Sequence, residues 1–395
     1  MDYKWLYKIK YSKRDQYEDE YNKRYNGISS YCYDFSIGKH PAFVVVTTEV
    51  LQLITEIQRL DKELQKKEQM LPEIALAQFS KKCLIDEVQQ TNEMEGVAST
   101  RKEIKEVLVN KASANSRLMG IVQKYSLLST SEKISLSNCQ DIRNLYDELV
   151  LEEVKQNDKK NIPDGDIFRK DAVYVKNQSG EVIHAGITPE TAIIQTMASL
   201  LSILNNPMYN QYINIAVIHY MFGYIHPFYD GNGRISRFIS SYLLSNQMEK
   251  IVGYRLAYTI KKDINKYYKM FKLTNEEVNK GDLTPFTIYF LELIVTLLKE
   301  LVGYFSDQIE IFHFYFNKLD NINISNECKE ILNILVQNTI FGFEGLTIND
   351  LAEIMKKSAS TIRKNTAKLN EMGLLRITKL RPYMYDADLD KMQTL

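Results

Sequence analysis

The chain has 395 residues, enough for two or three domains, and its 45% hydrophobic content is ordinary for a globular protein. Fifty basic and fifty acidic residues cancel, which excludes an overall electrostatic preference for nucleic acid or membrane. Four widely separated cysteines and five histidines make a zinc site unexpected, and no apolar run approaches the roughly 18 residues of a membrane span. We therefore expect a protein in a reduced, cytoplasmic setting, without membrane contact.

The spacing of apolar residues predicts a mainly α-helical protein. Residues 1–81 are predicted to form a mostly helical N-terminal region, with an amphipathic helix over 50–70 and either a short strand or a buried turn at 43–46. A further helix, from about 74 to 93, leads into the sequence Thr91-Asn92-Glu93-Met94-Glu95-Gly96. Taken alone, Glu95 would be a surface residue at the end of a helix.

Residues 168–189 change character, because two short β-type runs flank the turn-forming sequence Asn177-Gln178-Ser179-Gly180. This pattern predicts a β-hairpin over about 170–187. Its candidate docking residues are Val173, Tyr174, Val175, Val182 and Ile183. Thr188 is then expected to cap the next helix, with Pro189 as its first residue.

The segment His226-Pro227-Phe228-Tyr229-Asp230-Gly231-Asn232-Gly233-Arg234-Ile235-Ser236-Arg237 lies between two runs of helical periodicity. Proline disfavours helix in the preceding residue, so a loop is predicted whose glycines enter the second helix. Such a turn directs backbone N–H groups at one spot, where the helix dipole adds positive charge. His226 can accept a proton, Asp230 offers oxygen ligands to magnesium, and the two arginines can bind phosphates. The pattern indicates a triphosphate site rather than a surface loop.

These residues resemble the signature of the Fic family, His-x-Phe-x-(Asp/Glu)-Gly-Asn-Gly-Arg-x-x-Arg, and every specified position is met. The resemblance covers about residues 82–295. It implies a Fic-type helical bundle around the loop and transfer of AMP from ATP to a side-chain hydroxyl of a protein. It also implies the following roles: base for His226, buried anchor for Phe228, magnesium ligand for Asp230, anion hole for Gly231, Asn232 and Gly233, and β- and γ-phosphate contacts for Arg234 and Arg237.

Three other segments resemble parts of the same family. Thr91, Glu95 and Gly96 fit its inhibitory pattern, (Ser/Thr)-x-x-x-Glu-(Gly/Asn), which implies that Glu95 pairs with Arg237 and displaces the γ-phosphate. The hairpin resembles the family's flap, which binds a target segment by strand addition, with an inert surface hairpin as the alternative. Tyr267, Tyr268 and Asn279 resemble the residues that enclose the nucleoside, although either tyrosine could instead pack in the core. His219 is predicted to be packed and hydrogen-bonded, and His184 has no assigned role.

The C-terminal part begins after a polar linker at 321–326. Helices over 328–336, 347–355 and 360–372, the last ended by Gly373, precede strands at 374–377 and 383–385. This order resembles a winged helix-turn-helix. Its basic residues suit DNA phosphates, although the same surface could recognise protein; they are Lys356, Lys357, Arg363, Lys364, Lys368, Arg376, Lys379 and Arg381.

The predicted organisation is a mostly helical region (1–81), a Fic core (82–310) with its inhibitory helix (about 82–96) and flap (about 170–187), a helix end with linker (311–326) and a winged-helix domain (327–395). The leading hypothesis is an autoinhibited AMP transferase that uses ATP and Mg²⁺ and modifies a Ser, Thr or Tyr of a protein target. Self-modification, removal of AMP and a homodimer stay open. The alternatives are a nucleotide-sensing DNA-binding regulator and a Fic enzyme that transfers another nucleotide or a phosphate group.

Overall fold

The computed structural model describes residues 3–109, 116–130, 132–176, 182–206, 208–380 and 382–394. The structure is 68% helical, which confirms the predicted mainly α class. Its helices are α1 (Leu6–Ser12), α2 (Tyr17–Tyr25), α3 (Thr48–Glu68), α4 (Glu73–Met94), α5 (Arg101–Val109), α6 (Ser116–Ser126), α7 (Cys139–Leu149), α8 (Leu151–Asn157), α9 (Glu190–Ser202), α10 (Gln211–Ile225), α11 (Asn232–Gln247), α12 (Leu256–Lys262), α13 (Ile264–Asn275), α14 (Thr284–Leu319), α15 (Asn326–Phe341), α16 (Ile348–Met355), α17 (Ala359–Glu371) and α18 (Leu389–Gln393).

The described strands form three antiparallel pairs. They are β1 (Ser30–Ile37) with β2 (His40–Val45), β3 (Tyr174–Lys176) with β4 (Val182–Ala185), and β5 (Leu375–Leu380) with β6 (Tyr383–Ala387). Within the described segments, no helix combines the length and apolarity needed to cross a bilayer.

The chain divides into two compact units that do not follow chain order. The first unit comprises Met1–Asp61 and Leu84–Leu298, and the second comprises Lys62–Cys83 and Lys299–Leu395. The boundaries fall inside α3, α4 and α14, so one continuous helix contributes to both units in each case. The domain boundaries inferred from the sequence stay predictions.

The helix α10 forms the centre of the first unit. It is apolar on all sides and almost entirely buried, as expected for a helix surrounded by other elements rather than one lying at the surface. It packs along α11, and the predicted loop joins the two helices over residues 226–231. The loop is therefore attached at both ends to buried helices, and this fixes its position.

The N-terminal region contains an antiparallel hairpin, β1–β2, that the sequence analysis did not predict as a whole. Residues 43–45 belong to β2, so the strand alternative is the correct one. The region is attached to the segment before α14: Phe43 N–H donates to the carbonyl of Gly281 at 3.1 Å, and both Tyr3 Oη and Arg24 Nη1 bond the Asp282 carboxylate at 2.8 and 3.1 Å. These contacts anchor residues 3–45 to the helical bundle.

The β3–β4 hairpin is present, although its turn at 177–180 lies outside the described residues. The start of α9 differs from the prediction by one residue. Pro189 occupies the cap position and Glu190 begins the helix, so Thr188 is not the cap. The Glu190 carboxylate instead accepts bonds from the N–H groups of Asp166, Ile167 and Phe168, and it holds that segment against the helix.

The C-terminal part of the second unit contains α15, α16 and α17, followed by the β5–β6 hairpin. Thr347 caps α16 in a reciprocal pair with Asp350, and Ser358 caps α17. Gly373 follows α17 with φ of 74°, a left-handed conformation that glycine adopts without steric cost. The observed order of elements is the one predicted from the sequence.

Candidate active site

The loop between α10 and α11 begins with His226, whose backbone is left-handed with φ of 52°. Its N–H bonds the carbonyl of Phe222 at 3.0 Å and so closes the last turn of α10. A non-glycine residue in this region is uncommon and persists only where its surroundings hold it. The loop ends at Gly231, with φ of 81°, which caps α11.

The hydrogen bond of the His226 ring defines its proton arrangement. Nδ1 lies 3.3 Å from the carbonyl oxygen of Gly223. Because a carbonyl can only accept, Nδ1 carries the proton of this bond, and Nε2 keeps a free lone pair. Burial lowers the pKa of His226 to about 4, so the ring is neutral at neutral pH. This is the state required of a general base.

Phe228 and Asn232 hold the loop in place. The Phe228 ring is fully buried, stacks on Tyr146 with 3.8 Å between ring centroids, and meets the ring of Phe168 edge-on at 5.5 Å. Asn232 Oδ1 accepts from Phe228 N–H at 2.9 Å, and its Nδ2 donates to the Phe228 carbonyl at 2.8 Å. The Asn232 side chain is thus engaged within the loop, and only its backbone N–H remains for an anion.

Arg237 lies on α11 with its side chain 2% exposed, and it contacts Thr91 of α4 and Glu95, the residue that follows α4. Arg237 Nε donates to Thr91 Oγ1 at 2.7 Å, and Nη2 donates to the Thr91 carbonyl at 3.0 Å and to Glu95 Oε1 at 2.6 Å. A Cβ atom at Gly233 would lie 2.1 Å from Glu95 Oε1, so the carboxylate keeps this position only beside a glycine. Gly96 has φ of 73° and follows the last turn of α4.

Glu95 is a charged residue in this arrangement. Burial opposes its ionisation, but the charge and hydrogen bond of Arg237, together with Arg234 and His226, hold the pKa of Glu95 below its usual value. The carboxylate therefore lies as an anion beside the N-terminus of α11, where the helix dipole also favours negative charge.

Arg234 has a buried partner that the sequence did not indicate. It forms an ion pair with Glu153 of α8, and both side chains are 2% exposed. Asp230 Oδ1 lies 3.5 Å from Arg234 Nη2 and accepts from the N–H of Gly231, while the Asp230 side chain stays 33% exposed. Both arginines of the loop are thus paired with carboxylates.

A cavity of about 760 Å³ opens beside His226 and the Glu95–Arg237 pair, whereas Asp230 and Arg234 are not among the residues that line it. Its lining includes His226, Asn232, Gly233, Arg237 and Glu95 on one side, and residues of α13 and the β3–β4 hairpin on the other. The loop therefore presents a neutral imidazole, a helix N-terminus and a carboxylate-paired arginine to one space large enough for a nucleotide.

Comparisons with known proteins match the part of the chain that contains this loop. The family model described as "Fic/DOC family" matches residues 136–244, which include α10, the loop and most of α11. Proteins named "Protein adenylyltransferase Fic" from Drosophila yakuba and Drosophila melanogaster are each 27% identical to this chain over 227 residues. The chain therefore contains a Fic domain at residues 136–244.

The similar proteins match different shares of this chain. The two Drosophila matches span 55% of this chain but only 42% of their own length. The crystal structure of a Fic family protein from Desulfovibrio desulfuricans G20 is similar to 87% of this chain and 96% of its own, with a TM-score of 0.54 at 20% identity. This likeness supports the fold.

The predicted nucleoside residues are only partly brought together. Tyr267 and Tyr268 line the cavity, and the hydroxyl of buried Tyr267 bonds His219 Nε2 at 2.8 Å. Asn279 does not line it: its side chain accepts from Tyr7 N–H at 3.0 Å and donates to the Leu273 carbonyl at 2.6 Å. These contacts anchor the N-terminal region, and the nucleoside role of Asn279 stays a prediction. Asn275, at the end of α13, lines the cavity instead.

His219 is packed and hydrogen-bonded, as predicted. Ser240 Oγ lies 2.8 Å from its Nδ1, and burial lowers the pKa of His219 to about 3. Both nitrogens of the buried ring are engaged, Nδ1 with Ser240 and Nε2 with Tyr267, so neither is available to a substrate hydroxyl.

The hairpin contributes two residues to the cavity of the Fic core, Val175 and the unassigned His184. His184 Nε2 donates to the carbonyl of Tyr224 at 2.6 Å, which holds β4 against the end of α10. Tyr174 and Val182 are 58% and 51% exposed. Val173 precedes β3, where its carbonyl accepts from Gly186 N–H, and the side chain of Ile183 lies outside the described residues.

Proposed function

We propose that this chain is an autoinhibited protein adenylyltransferase that transfers AMP from ATP to a hydroxyl group of a protein. The observation that carries the proposal is the neutral His226 at a cavity that also contains the α11 N-terminus and the Glu95–Arg237 pair. Relatives named protein adenylyltransferase support the reaction class. Because the chain spans 42% of the length of those relatives, their activity is part of the proposal rather than a finding.

The reaction follows from the arrangement of hydrogen-bonding groups. The target hydroxyl gives its proton to His226 Nε2, and its oxygen forms a bond to the α-phosphorus of ATP. The bond between the α-phosphorus and the oxygen bridging to the β-phosphate then breaks, and pyrophosphate leaves. The first N–H groups of α11 have no intrahelical acceptors, so they are available to phosphate oxygens as charge develops.

Asp230 fits the part of a magnesium ligand. It is a carboxylate of the loop, it is one-third exposed, and it lies beside the α11 N-terminus. Magnesium usually keeps several waters and takes one or two protein carboxylates together with substrate phosphates, and one carboxylate here meets that need. When bound, the ion would neutralise charge on the phosphate groups. The buried Glu153 holds Arg234 beside this carboxylate.

Autoinhibition rests on competition for Arg237. A γ-phosphate and the Glu95 carboxylate are both anions that need the same guanidinium, and Glu95 lies 2.6 Å from Nη2. Glu95 also lies against Gly233, where it would repel phosphate oxygens. ATP can therefore bind productively only when Glu95 moves away, and α4 restrains transfer at rest.

The target is proposed to bind along the β3–β4 hairpin. An extended segment can pair with an exposed strand edge, and Tyr174 and Val182 offer accessible apolar contacts beside it. Val175 connects this surface to the cavity. A hydroxyl on the docked segment would then face His226.

ATP labelled at the α-phosphate tests the proposal. The full chain with Glu95→Gly should label itself or proteins of a cell extract, and Glu95→Gly with His226→Ala should not, although it still binds ATP. ATP labelled at the γ-phosphate should leave no label. Labelling by γ-phosphate alone would replace AMP transfer with phosphate transfer.

A second candidate function is DNA binding by the C-terminal part. Four basic residues on α17 and β5 are exposed, and none of them forms an ion pair within the described part of the chain: Arg363, Lys364, Lys368 and Lys379. Lys357 and Arg376 are paired with Glu330 and Asp390, and Arg381 lies outside the described residues. Four free cations on a capped helix and the adjacent strand suit phosphate contacts.

A gel shift of the full chain with duplex DNA tests this second function. Replacing Arg363 and Lys364 by glutamate should weaken binding by at least about tenfold and flatten its salt dependence. Equal binding by the variant and the unchanged chain would contradict it.

A further inference from the structure

Arg169 is a fully buried arginine in the segment between α8 and β3. Its guanidinium donates to four main-chain carbonyl groups, and within the described ranges no carboxylate forms an ion pair with it. A buried charge without a counter-charge is costly unless hydrogen bonds compensate it. Burial accordingly lowers the pKa of Arg169. Stability alone does not explain why a charged arginine is buried at this position.

The four carbonyls belong to two different structures. On the catalytic side, Nε donates to the His226 carbonyl at 2.8 Å and Nη2 to that of Ile225 at 3.5 Å. On the hairpin side, Nη2 donates to the Ile187 carbonyl at 2.8 Å and Nη1 to that of Asp171 at 2.5 Å. Arg169 thus joins the end of α10 to both ends of the β3–β4 hairpin. The carbonyl end of α10 also supplies the partial negative charge that favours a cation.

The backbone reinforces this junction. Arg169 N–H donates to the carbonyl of Pro227 at 3.2 Å, and Ile187 N–H donates to that of Ile225 at 3.1 Å. The hairpin approaches so closely that a Cβ atom at Gly186 would lie 2.5 Å from Arg169 Nη2 and 3.0 Å from His226 Cβ. The bonds on both sides of His226 hold its uncommon left-handed backbone, which sets the direction of the ring.

We propose that Arg169 is a positioning residue for the transfer reaction: it fixes the main chain of His226 to the base of the β3–β4 hairpin, so that the imidazole and a hydroxyl docked on the hairpin keep one relative position. This role rests on the function proposed above. It differs from the role of the base, because Arg169 acts through the backbone of His226 and the hairpin. Its positive charge also helps to lower the pKa of His226, after burial and together with His184.

Two substitutions and one matched control test the role in a Glu95→Gly background. Arg169→Met removes all four hydrogen bonds but keeps a long apolar chain, and Arg169→Lys keeps the charge but not the planar fork. Arg143→Lys is the control, because Arg143 Nη1 donates to the Ile167 carbonyl in the same segment at 2.8 Å but to no carbonyl of 225–226. Transfer is followed as incorporation of the labelled α-phosphate at a series of ATP concentrations.

Misplacement of a catalytic group costs about 100-fold in rate, so Arg169→Met should lower kcat by about that factor while KM for ATP stays within about twofold. Arg169→Lys should recover part of the loss, and Arg143→Lys should match the background. The proposal is overturned if Arg169→Lys keeps full kcat, or if Arg169→Met raises KM as much as it lowers kcat.

A second measurement does not depend on AMP transfer. The imidazole of His226 is titrated by NMR in the full chain, with His226→Ala to assign its signal. In the unchanged protein, the His226 imidazole should titrate near pH 4. In Arg169→Met the positive charge is lost, so the midpoint should rise. In Arg169→Lys the charge is kept, so the midpoint should shift less. An unaltered midpoint and a single unaltered ring signal in Arg169→Met would refute the role of Arg169. Absence of transfer with these shifts present would refute only the proposed function.

Discussion

Replacing Glu95 by glycine should tighten the binding of ATP with magnesium and raise AMP transfer. The substitution removes the carboxylate that lies 2.6 Å from Arg237 Nη2, but it leaves both contacts of Arg237 with Thr91. Arg237 therefore stays oriented and keeps partners, while one of its N–H groups becomes available to a γ-phosphate. Glu95→Gly therefore removes the inhibitory contact and leaves the other contacts of Arg237 in place.

The size of the effect follows from the exposure of the pair. Arg237 is 2% exposed and Glu95 is 22% exposed, so their bond is only partly screened by water. A hydrogen bond between charged groups contributes about 1.5 to 3 kcal/mol net. Since each 1.4 kcal/mol is tenfold in affinity, the dissociation constant for ATP should fall by about 10- to 100-fold.

Titration calorimetry with magnesium and an α,β-methylene ATP analogue measures the affinity without turnover. Glu95→Gln should give an intermediate value, because the amide keeps the shape and one hydrogen bond but not the charge. Glu93→Gln is the matched control, since Glu93 also lines the cavity but pairs with Lys261, at 3.3 Å, rather than with Arg237. An unchanged affinity in Glu95→Gly, or an equal gain in Glu93→Gln, would refute the competition for Arg237.

Three further outcomes are expected. Asn275→Ala should weaken ATP binding, whereas Asn279→Ala should leave it unchanged and lower the free energy of unfolding by about 1 to 3 kcal/mol, because buried partners lose their bonds. Calorimetry measures the ATP binding and urea unfolding measures the stability. The reverse pattern would place Asn279, rather than Asn275, at the nucleotide. Phe228→Ala should cost about 3 to 5 kcal/mol in urea unfolding, and a loss below about 1 kcal/mol would contradict its anchoring role. Burial lowers the pKa of His219 to about 3 in the folded state, whereas in the unfolded chain it has the ordinary histidine pKa of about 6.5, so its contribution to stability is present above about pH 6.5 and is lost as the pH falls towards 3. In His219→Gln the unfolding free energy should therefore depend less on pH between 4 and 6, by about 1.4 kcal/mol per pH unit. An unchanged slope would show that the ring is not kept neutral.

The helices and the loop could be predicted because their causes are local. Pro227 indicates that α10 ends before it, and the glycines that follow indicate where α11 begins. Apolar residues spaced with a period of 3.6 predict the two helices themselves. The alternation that marks β1 is also visible in the sequence, where Tyr33, Phe35 and Ile37 are buried and the residues between them are exposed. The sequence did not predict strand β1, because tyrosines and charged residues surround it and residue type alone does not show which side chains are buried and which are exposed.

The contacts that define the site could not be predicted, because they join residues distant in the chain. Glu153 lies 81 positions from Arg234, and Arg169 lies 57 positions from His226. Nothing local to either residue indicates its partner. The contact of Asn279 is also distant in the chain: a short turn at Glu277–Asn279 follows α13, and it directs this asparagine to the N-terminal region, which the local sequence does not indicate.

The central claim is that His226 catalyses transfer of AMP when Glu95 no longer restrains the site. The most direct test incubates a cell extract with magnesium, α-labelled ATP and the full chain carrying Glu95→Gly, with or without His226→Ala, and counts label on protein. The account predicts strong labelling by Glu95→Gly, weak labelling by the unchanged chain and none when His226 is replaced. Equal labelling with and without His226 would contradict it.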